Sequence, residues 1–336
     1  MDHVAIDLGG RESQVCIRGS DGQVLEEHRM PTSSLSHWLA GRQVSKVIME
    51  TCAESFEIAD GAKASGHDVR IVPSTLVRSL GVGSRRTKND RRDAQALSEA
   101  SCRIELPSVH IPSATARNRK VQCGTRQALV SARTQLINCV RGWMRQGTRS
   151  VTKGYPQTFP RRVRQKIETV PPQIERLLVS IETLSAQIHA ADAELAQEAE
   201  SDAVCKRLMT VPGVGPITAV RFVSTVDRLD RFADAHALQS YLGLVPGEYS
   251  SGERTKRLGI TKAGATATRA VLIQAAWSVR RYRKNHAIAR WCEEIERRRG
   301  KHIAVVALAR KIAGILYAIW RRDGATYNPF QGARSA

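Results

Sequence analysis

Hydrophobic and polar positions alternate in three short runs near the start of the chain, HVAID, SQVCIR and VLEEHR, separated by LGGRE and GSDGQ, whose glycines and aspartates form turns. This pattern predicts an antiparallel meander over residues 3–28. A short helix over 33–42 should follow, then the β-branched run VSKVIMET, a helix over 53–64, and a further strand, HDVRIV, closed by Pro73. A meander followed by strands that alternate with helices predicts an α/β domain, a mixed sheet covered by helices. The period then changes from two to that of a helix. Residues 87–102 read as helical, and 113–148 form a long stretch rich in Arg and Gln with no strand signal.

Beyond it, SVTKGYPQTFPRRVRQK (149–165) holds Gly154, Pro156 and Pro160 and reads as a linker. Ile174, Leu177, Ile181, Leu184, Ile188, Ala191 and Leu195 then follow 3,4 spacing over three heptads, with Pro171 and Pro172 at the first turn, where a missing N–H costs nothing. Such a stripe serves either a coiled coil between copies, hence a dimer, or a helix packed within its own domain. Residues 204–322 read as mainly helical, from LMTVPGVGPITAVRFVS to three basic amphipathic helices. Three segments result: 1–148, an α/β domain ending in the long basic helix; 149–203, a linker and coiled coil; and 204–336, a mainly α domain.

With 336 residues and 42% hydrophobic content, there is enough apolar material for a core in each domain. The 52 Lys and Arg outnumber the 32 Asp and Glu, a formal charge of +20, which points to a polyanion such as nucleic acid. The cations are spread along the chain and not gathered on one amphipathic segment, which argues against an acidic membrane surface. No run of 18 apolar residues occurs, and MDHVAIDLGG lacks the pattern of a signal peptide, so a cytoplasmic protein is expected. Cys16, Cys52, Cys102, Cys123, Cys139, Cys205 and Cys292 are scattered, with no C-x-x-C pair, and read as small core residues rather than a disulfide framework or zinc site.

Candidate chemistry begins at TKNDRRDAQALSEA (87–100), where Asp90 and Asp93 stand at i and i+3 of a predicted helix among Arg85, Arg86, Lys88, Arg91 and Arg92. The acids are either a solvated helix start favoured by the helix dipole, or ligands of a divalent metal beside cations that hold phosphate. Two further acids close predicted strands: Asp7 in VAIDLGG and Glu50 in KVIMET. Burying an unpaired acid costs several kcal/mol, so a metal, a cation or a solvent cleft must compensate. Asp7 as a turn cap and Glu50 paired with an arginine are the plainer readings. As a set, first strand, fourth strand, then a helix with D-x-x-D is the layout of an RNase H-like nuclease, in which converging carboxylates hold Mg²⁺, a hard cation that prefers oxygen.

In the other half, Ser250, Ser251 and Gly252 read as a flexible turn followed by Arg254, Lys256, Arg257 and Lys262, cations that could attract a phosphate. A plain surface turn is the alternative, and Ser250 competes with Ser251 as the exposed hydroxyl. VPGVGPITA resembles a helix-hairpin-helix element in which Gly213 and Gly215 let backbone N–H groups approach DNA phosphate; an ordinary interhelical turn is the alternative. Residues 280–322 carry 13 Lys and Arg against Glu293, Glu294 and Glu296, a surface suited to tracking a nucleic-acid backbone. Trp277, Trp291 and Trp320 fall in phase with the apolar stripe and read as core.

AIDLGG, IMETC and TKNDRRDA together resemble the RuvC-like domain of IS110 family transposases, which carries a DEDD tetrad; relatives usually read K-T-D-R-x-D-A, and Asn89 here departs from that without moving either acid. YLGLVPGEYSSGERTKRLGITKAGATATRAVLIQAAW (241–277) resembles the C-terminal transposase domain of the same family. The resemblance implies that Asp7, Glu50, Asp90 and Asp93 hold Mg²⁺ and that Ser251 is the nucleophile joined covalently to DNA during strand exchange. It also implies donor and target DNA as substrates, a non-coding guide RNA as partner, and a homo-oligomer, either a dimer or a tetramer built from dimers. Rival functions are a metal-dependent nuclease or resolvase that uses water, an actin-like kinase, which would need a second Gly-rich phosphate loop, and a non-catalytic RNA-binding protein, which would have no need of strand-end acids.

Overall fold

The computed structural model describes residues 1–79, 90–251, 254–283 and 285–328. The chain packs as two compact units, Met1–Pro112 and Ser113–Ala336.

The first unit runs β1 (His3–Asp7), β2 (Glu12–Arg18), β3 (Val24–Pro31), α1 (Leu35–Ala40), β4 (Lys46–Glu50), α2 (Ser55–Ala64), β5 (Asp68–Val72), α3 (Ser74–Ser79) and α4 (Asp90–Arg103). Its strands form one sheet in the order β3-β2-β1-β4-β5. The meander β1-β2-β3 is antiparallel, and β4 and β5 run parallel to β1. This is the mixed sheet that the alternating pattern predicts. The central strands are buried on both faces, because successive side chains alternate. Val4, Ile6, Val47 and Met49 face Leu35 and Leu39 of α1 and Ile58, Ala59 and Ala62 of α2. Ala5, Ile48 and Val72 face the other way and pack with Leu97 of α4 and with Leu106.

In the second unit come α5 (Ala114–Gln146), α6 (Phe159–Lys166), α7 (Pro172–Ser201), α8 (Ala203–Leu208), α9 (Pro216–Val226), α10 (Ala235–Tyr241), β6 (Pro246–Ser251), β7 (Arg254–Ile260), α11 (Thr266–Tyr282), α12 (Ala287–Arg299) and α13 (Lys301–Arg321). Packing divides the chain after Pro112 and groups α5 with the later helices, whereas composition places the division at 148. The reason lies in α5 itself. Ile137, Val140 and Met144 share a cluster with Phe159 and Val163 of α6 and with Ile174, Leu178 and Ile181 of α7, while Cys123 joins the main core of the unit.

The heptad stripe of α7 thus finds its cover inside the chain. α5 and α7 run antiparallel, tied by Arg126 to Asp192 and by Arg119 to Glu198 and Asp202. Leu178 is buried where the 3,4 spacing names Leu177, which is half-buried, as expected when a 3.6-residue helix drifts against a 3.5 repeat. The predicted linker is also partly ordered into α6, whose Phe159 and Val163 are buried. By length and composition alone α13 could cross a membrane, but Val305, Leu308, Ile312 and Leu316 are buried in the core of this unit. Trp277, Trp291 and Trp320 lean on the same core, as their phase predicts. All seven cysteines are free; Cys16, Cys123, Cys205 and Cys292 are buried, whereas Cys139 is exposed.

A correction concerns Ser250 and Ser251, read from sequence as a flexible turn. Both are strand residues at the end of β6, paired with Thr255 and Arg254 of β7. Residues 252–253, between the two strands, lie outside the described residues. The strands PGEYSS and RTKRLGI lack apolar alternation, which is why the pattern hides them.

Candidate active site

Asp7 and Glu50 are the last residues of β1 and β4, neighbouring parallel strands whose final registered pair is Ile6 and Met49. They therefore emerge side by side at one end of the sheet, and both are half-buried. Alternation puts Asp7 on the face of Ala5 and Glu50 on the face of Ile48, the side that α4 covers. Helix α4 runs against β1: Ser101, near its end, bonds His3 Nδ1 at the start of β1 at 2.6 Å. From Ser101 back to Asp93 the helix rises about 12 Å. From His3 to Asp7 the strand advances about 13 Å. The start of α4, which carries Asp93, therefore lies toward the end of β1 at which Asp7 stands.

Further contacts hold α4 in this setting. Arg18 Nε donates to Ser98 Oγ at 2.8 Å, and Gln95 Nε2 donates to Glu27 Oε1 at 2.5 Å. Beyond Glu50, the N–H and hydroxyl of Thr51 both donate to the Val72 carbonyl, each at 3.0 Å, tying the exit of β4 to the end of β5. Burial pushes the nearby Cys52 thiol up, which keeps it neutral.

Asp90 opens α4, but its side chain, like that of Arg91, lies outside the described part. Arg85, Arg86 and Lys88 lie outside the described residues altogether, and Arg92 is exposed on α4. Among the described residues no three His, Cys, Asp or Glu side chains form a metal-binding group. The structure puts Asp7 and Glu50 at one end of one sheet face, with Asp93 near the start of the helix that covers that face, and closes no such cluster among the described residues. Their chemistry, hard oxygen donors only, suits a divalent cation of the Mg²⁺ kind.

In the second unit Ser251 ends β6 opposite Arg254; the side chains of Ser251, Arg254, Lys256 and Arg257 lie outside the described part. The root of the hairpin is built tightly. Gly264 has φ +67°, and a Cβ there would meet the Tyr241 carbonyl oxygen at 2.1 Å, so only glycine fits. Lys262 has φ +57°, and its N–H donates to the Gly243 carbonyl at 3.2 Å. Arg269, 6% exposed, clamps both flanking loops: Nη1 donates to the carbonyls of Leu242 at 2.9 Å and Ala263 at 2.8 Å, and Nη2 donates to Thr266 Oγ1. Sequence reasoning missed Arg269. The one signal it offered was a lone arginine beside the apolar run Ala270, Val271 and Leu272 of a helix.

The two glycines of VPGVGP have different surroundings. Gly213, at φ +82°, abuts α11, where a Cβ would meet the Ala275 carbonyl oxygen at 2.6 Å. Gly215 caps α9 and faces open space: a methyl group added there would meet nothing within 4 Å.

Comparison with known proteins matches both halves of this arrangement. Residues 4–148 match a transposase family model of the DEDD type, and residues 205–292 match the model described as "Transposase IS116/IS110/IS902 family". The chain is 27% identical over 329 residues to "Transposase for insertion sequence element IS1111A" of Coxiella burnetii, covering 95% of this chain and 90% of that protein. It is 31% identical over 292 residues to "Probable family 20 transposase" of Pseudomonas aeruginosa, covering 82% and 84%. With "Transposase for insertion sequence element IS1328" of Yersinia enterocolitica it shares 26% identity over 325 residues, covering 94% and 96%. A mixed α/β unit with paired strand-end acids and a DEDD match defines a DNA transposase, a class that points to divalent-metal dependence. The chain belongs to the IS110 family of insertion-sequence transposases.

Proposed function

We propose that this transposase cuts and rejoins DNA through a covalent link to Ser251, with Asp7, Glu50, Asp90 and Asp93 as the ligands of Mg²⁺ in a RuvC-like first domain. What supports the reading is the pairing of Asp7 and Glu50 at the ends of neighbouring parallel strands, on the sheet face covered by α4, the helix that carries Asp93. Bound there, the metal would supply Lewis-acid polarisation of the scissile phosphate. Ser251 Oγ would attack the phosphorus, forming one P–O bond as the bond to the leaving deoxyribose oxygen breaks. The serine proton leaves to solvent or a carboxylate, and the leaving oxygen gains one. One phosphoester replaces another, so the reverse attack by a new DNA hydroxyl rejoins the strand without ATP. The chain's own contribution at Ser251 is positional: a strand end on a hairpin rooted by Gly264 and Arg269, followed by Arg254, Lys256, Arg257 and Lys262 to attract phosphate.

Asp7 and Ser251 belong to different units, and we assign their meeting to two subunits of a dimer or tetramer. A guide RNA that selects the target by base pairing fits a chain of +20 whose contacts would fall on the backbone. The test is mass spectrometry after incubation with Mg²⁺, insertion-sequence DNA and co-purified RNA. A nucleotide-linked Ser251 peptide, absent in Asp7→Ala, supports the reading. An adduct on Ser250 reassigns the nucleophile, and cleaved DNA with no adduct transfers the case to a water-using nuclease.

A further inference from the structure

A cleft of about 370 Å³ opens in the second unit where α5, the start of α9 and α11 meet. Arg126 and Arg133 line it from α5, seven residues and two turns apart on one face. Thr218 and Arg221 line it from α9, Gln274 from α11, and Gly215 forms its edge. Neither an acid nor an aromatic ring is among its lining residues.

Each arginine is anchored through one part of its guanidinium. Arg126 Nε donates to Asp192 Oδ1 at 2.5 Å, Arg133 Nη1 to Ser185 Oγ at 3.2 Å, and Arg221 Nη2 to the Cys123 carbonyl at 2.5 Å. A guanidinium has five N–H donors, so most of each fork remains open to a further acceptor. Among the described residues no carboxylate lies within ion-pair distance of Arg133 or Arg221. Burial first, and then the neighbouring charge of Arg126, hold Arg133 below its ordinary range. Three like charges are thus gathered here, of which Arg126 alone has a carboxylate, Asp192, within ion-pair distance among the described residues. No side chain caps α9; its first residue, Pro216, has no N–H, so the first N–H groups of that 11-residue helix belong to Ile217 and Thr218, next to the open space at Gly215.

We propose that this cleft binds phosphate groups of a nucleic-acid backbone, with Arg133 and Arg221 as the principal contacts, Arg126 beside them, and the α9 N-terminus completing the donor set. The absence of rings among the lining residues means that it positions the strand and does not stack bases. The proposal rests on the reading of the chain as a nucleic-acid enzyme and adds where the backbone lies. It assigns the role expected of the glycine turn to Gly215 and α5; Gly213 is occupied by α11.

The test uses the full-length chain and two probes, a short random-sequence DNA duplex and a single-stranded RNA, in anisotropy titrations over a salt series. Arg133→Gln with Arg221→Gln should weaken binding to at least one probe by roughly tenfold at low salt and reduce the salt slope by about two units, while the double Lys variant retains most of that slope. Which probe responds identifies the polymer. Wild-type binding with unchanged affinity and slope in a folded Gln variant would overturn the proposal and leave the catalytic reading intact. A missing Ser251 adduct alongside weakened variant binding would do the reverse. If the Gln variant does not fold, phenylglyoxal labelling of the wild type decides: protection of Arg133 and Arg221 by either polymer supports the cleft, and protection by neither overturns it.

Discussion

Arg269 places Nη1 2.9 Å from the carbonyl oxygen of Leu242, a buried cation satisfied by main-chain oxygens at the root of the hairpin that ends in Ser251. A carboxylate partner would hold one point. Carbonyls from Leu242 and Ala263 hold two loops at once, so a single side chain in α11 sets where β6 and β7 leave the core. Arg269→Leu should lower stability by about 1–3 kcal/mol through the orphaned carbonyls. If strand exchange runs through Ser251 as proposed, the yield of its DNA adduct should fall further than the loss of folded protein explains. Urea melts and adduct yield measured on the same preparations check this; equal losses in both would reduce Arg269 to a stability role.

The glycines allow a sharper contrast. Gly264→Ala puts a methyl 2.1 Å from the Tyr241 oxygen at φ +67° and should cost about 1–3 kcal/mol or more. Gly215→Ala places its methyl in open space and should change stability by roughly 0.5 kcal/mol or less. Thermal melts of the two variants give the comparison.

At the strand ends and on α4, Asp7→Asn, Glu50→Gln and Asp93→Asn should each lower strand cleavage by about 100-fold or more while leaving the fold intact. Mg²⁺ should raise the wild-type melting temperature and leave that of Asp7→Asn nearly unmoved. Cleavage assays and melts with and without chelator read both effects.

Acid sensitivity should centre on the α5–α7 pair. Burial alone would push the Asp202 carboxyl up, but the backbone N–H of Cys205 and the Arg119 guanidinium outweigh it and hold it below the usual carboxylate value. A depressed folded pKa gives stability that is present above the unfolded value, near 4, and is lost as pH falls through the folded one. Asp202→Asn should therefore be less stable than the wild type at neutral pH, with the gap closing in acid. Denaturant melts across that range test the sign; a gap that widened in acid would contradict it.

Much of the first unit is legible in the residues. Alternation alone delimits β1, β2 and β3, and the apolar runs before Asp7 and Glu50 place both acids at strand ends. What pairs those ends is the parallel register of β1 with β4, strands separated by a whole meander and a helix. The hairpin β6-β7 was hidden because its strands are polar on both faces, and Arg269 because its partners are backbone carbonyls, which carry no residue identity.

Local periodicity, charge and short motifs, each a property of neighbours along the chain, determined by themselves the strand-end acids, the helical stripes, the polyanion partner and the resemblance that places this chain among IS110 transposases. Tertiary structure alone decided that the α7 stripe is covered by α5 of the same chain, that Gly213 serves packing while Gly215 stays open, and that Asp7 and Glu50 end neighbouring parallel strands. Such outcomes depend on which distant surfaces meet, and a stripe, a glycine or an acid carries no label naming its partner until close packing selects one arrangement.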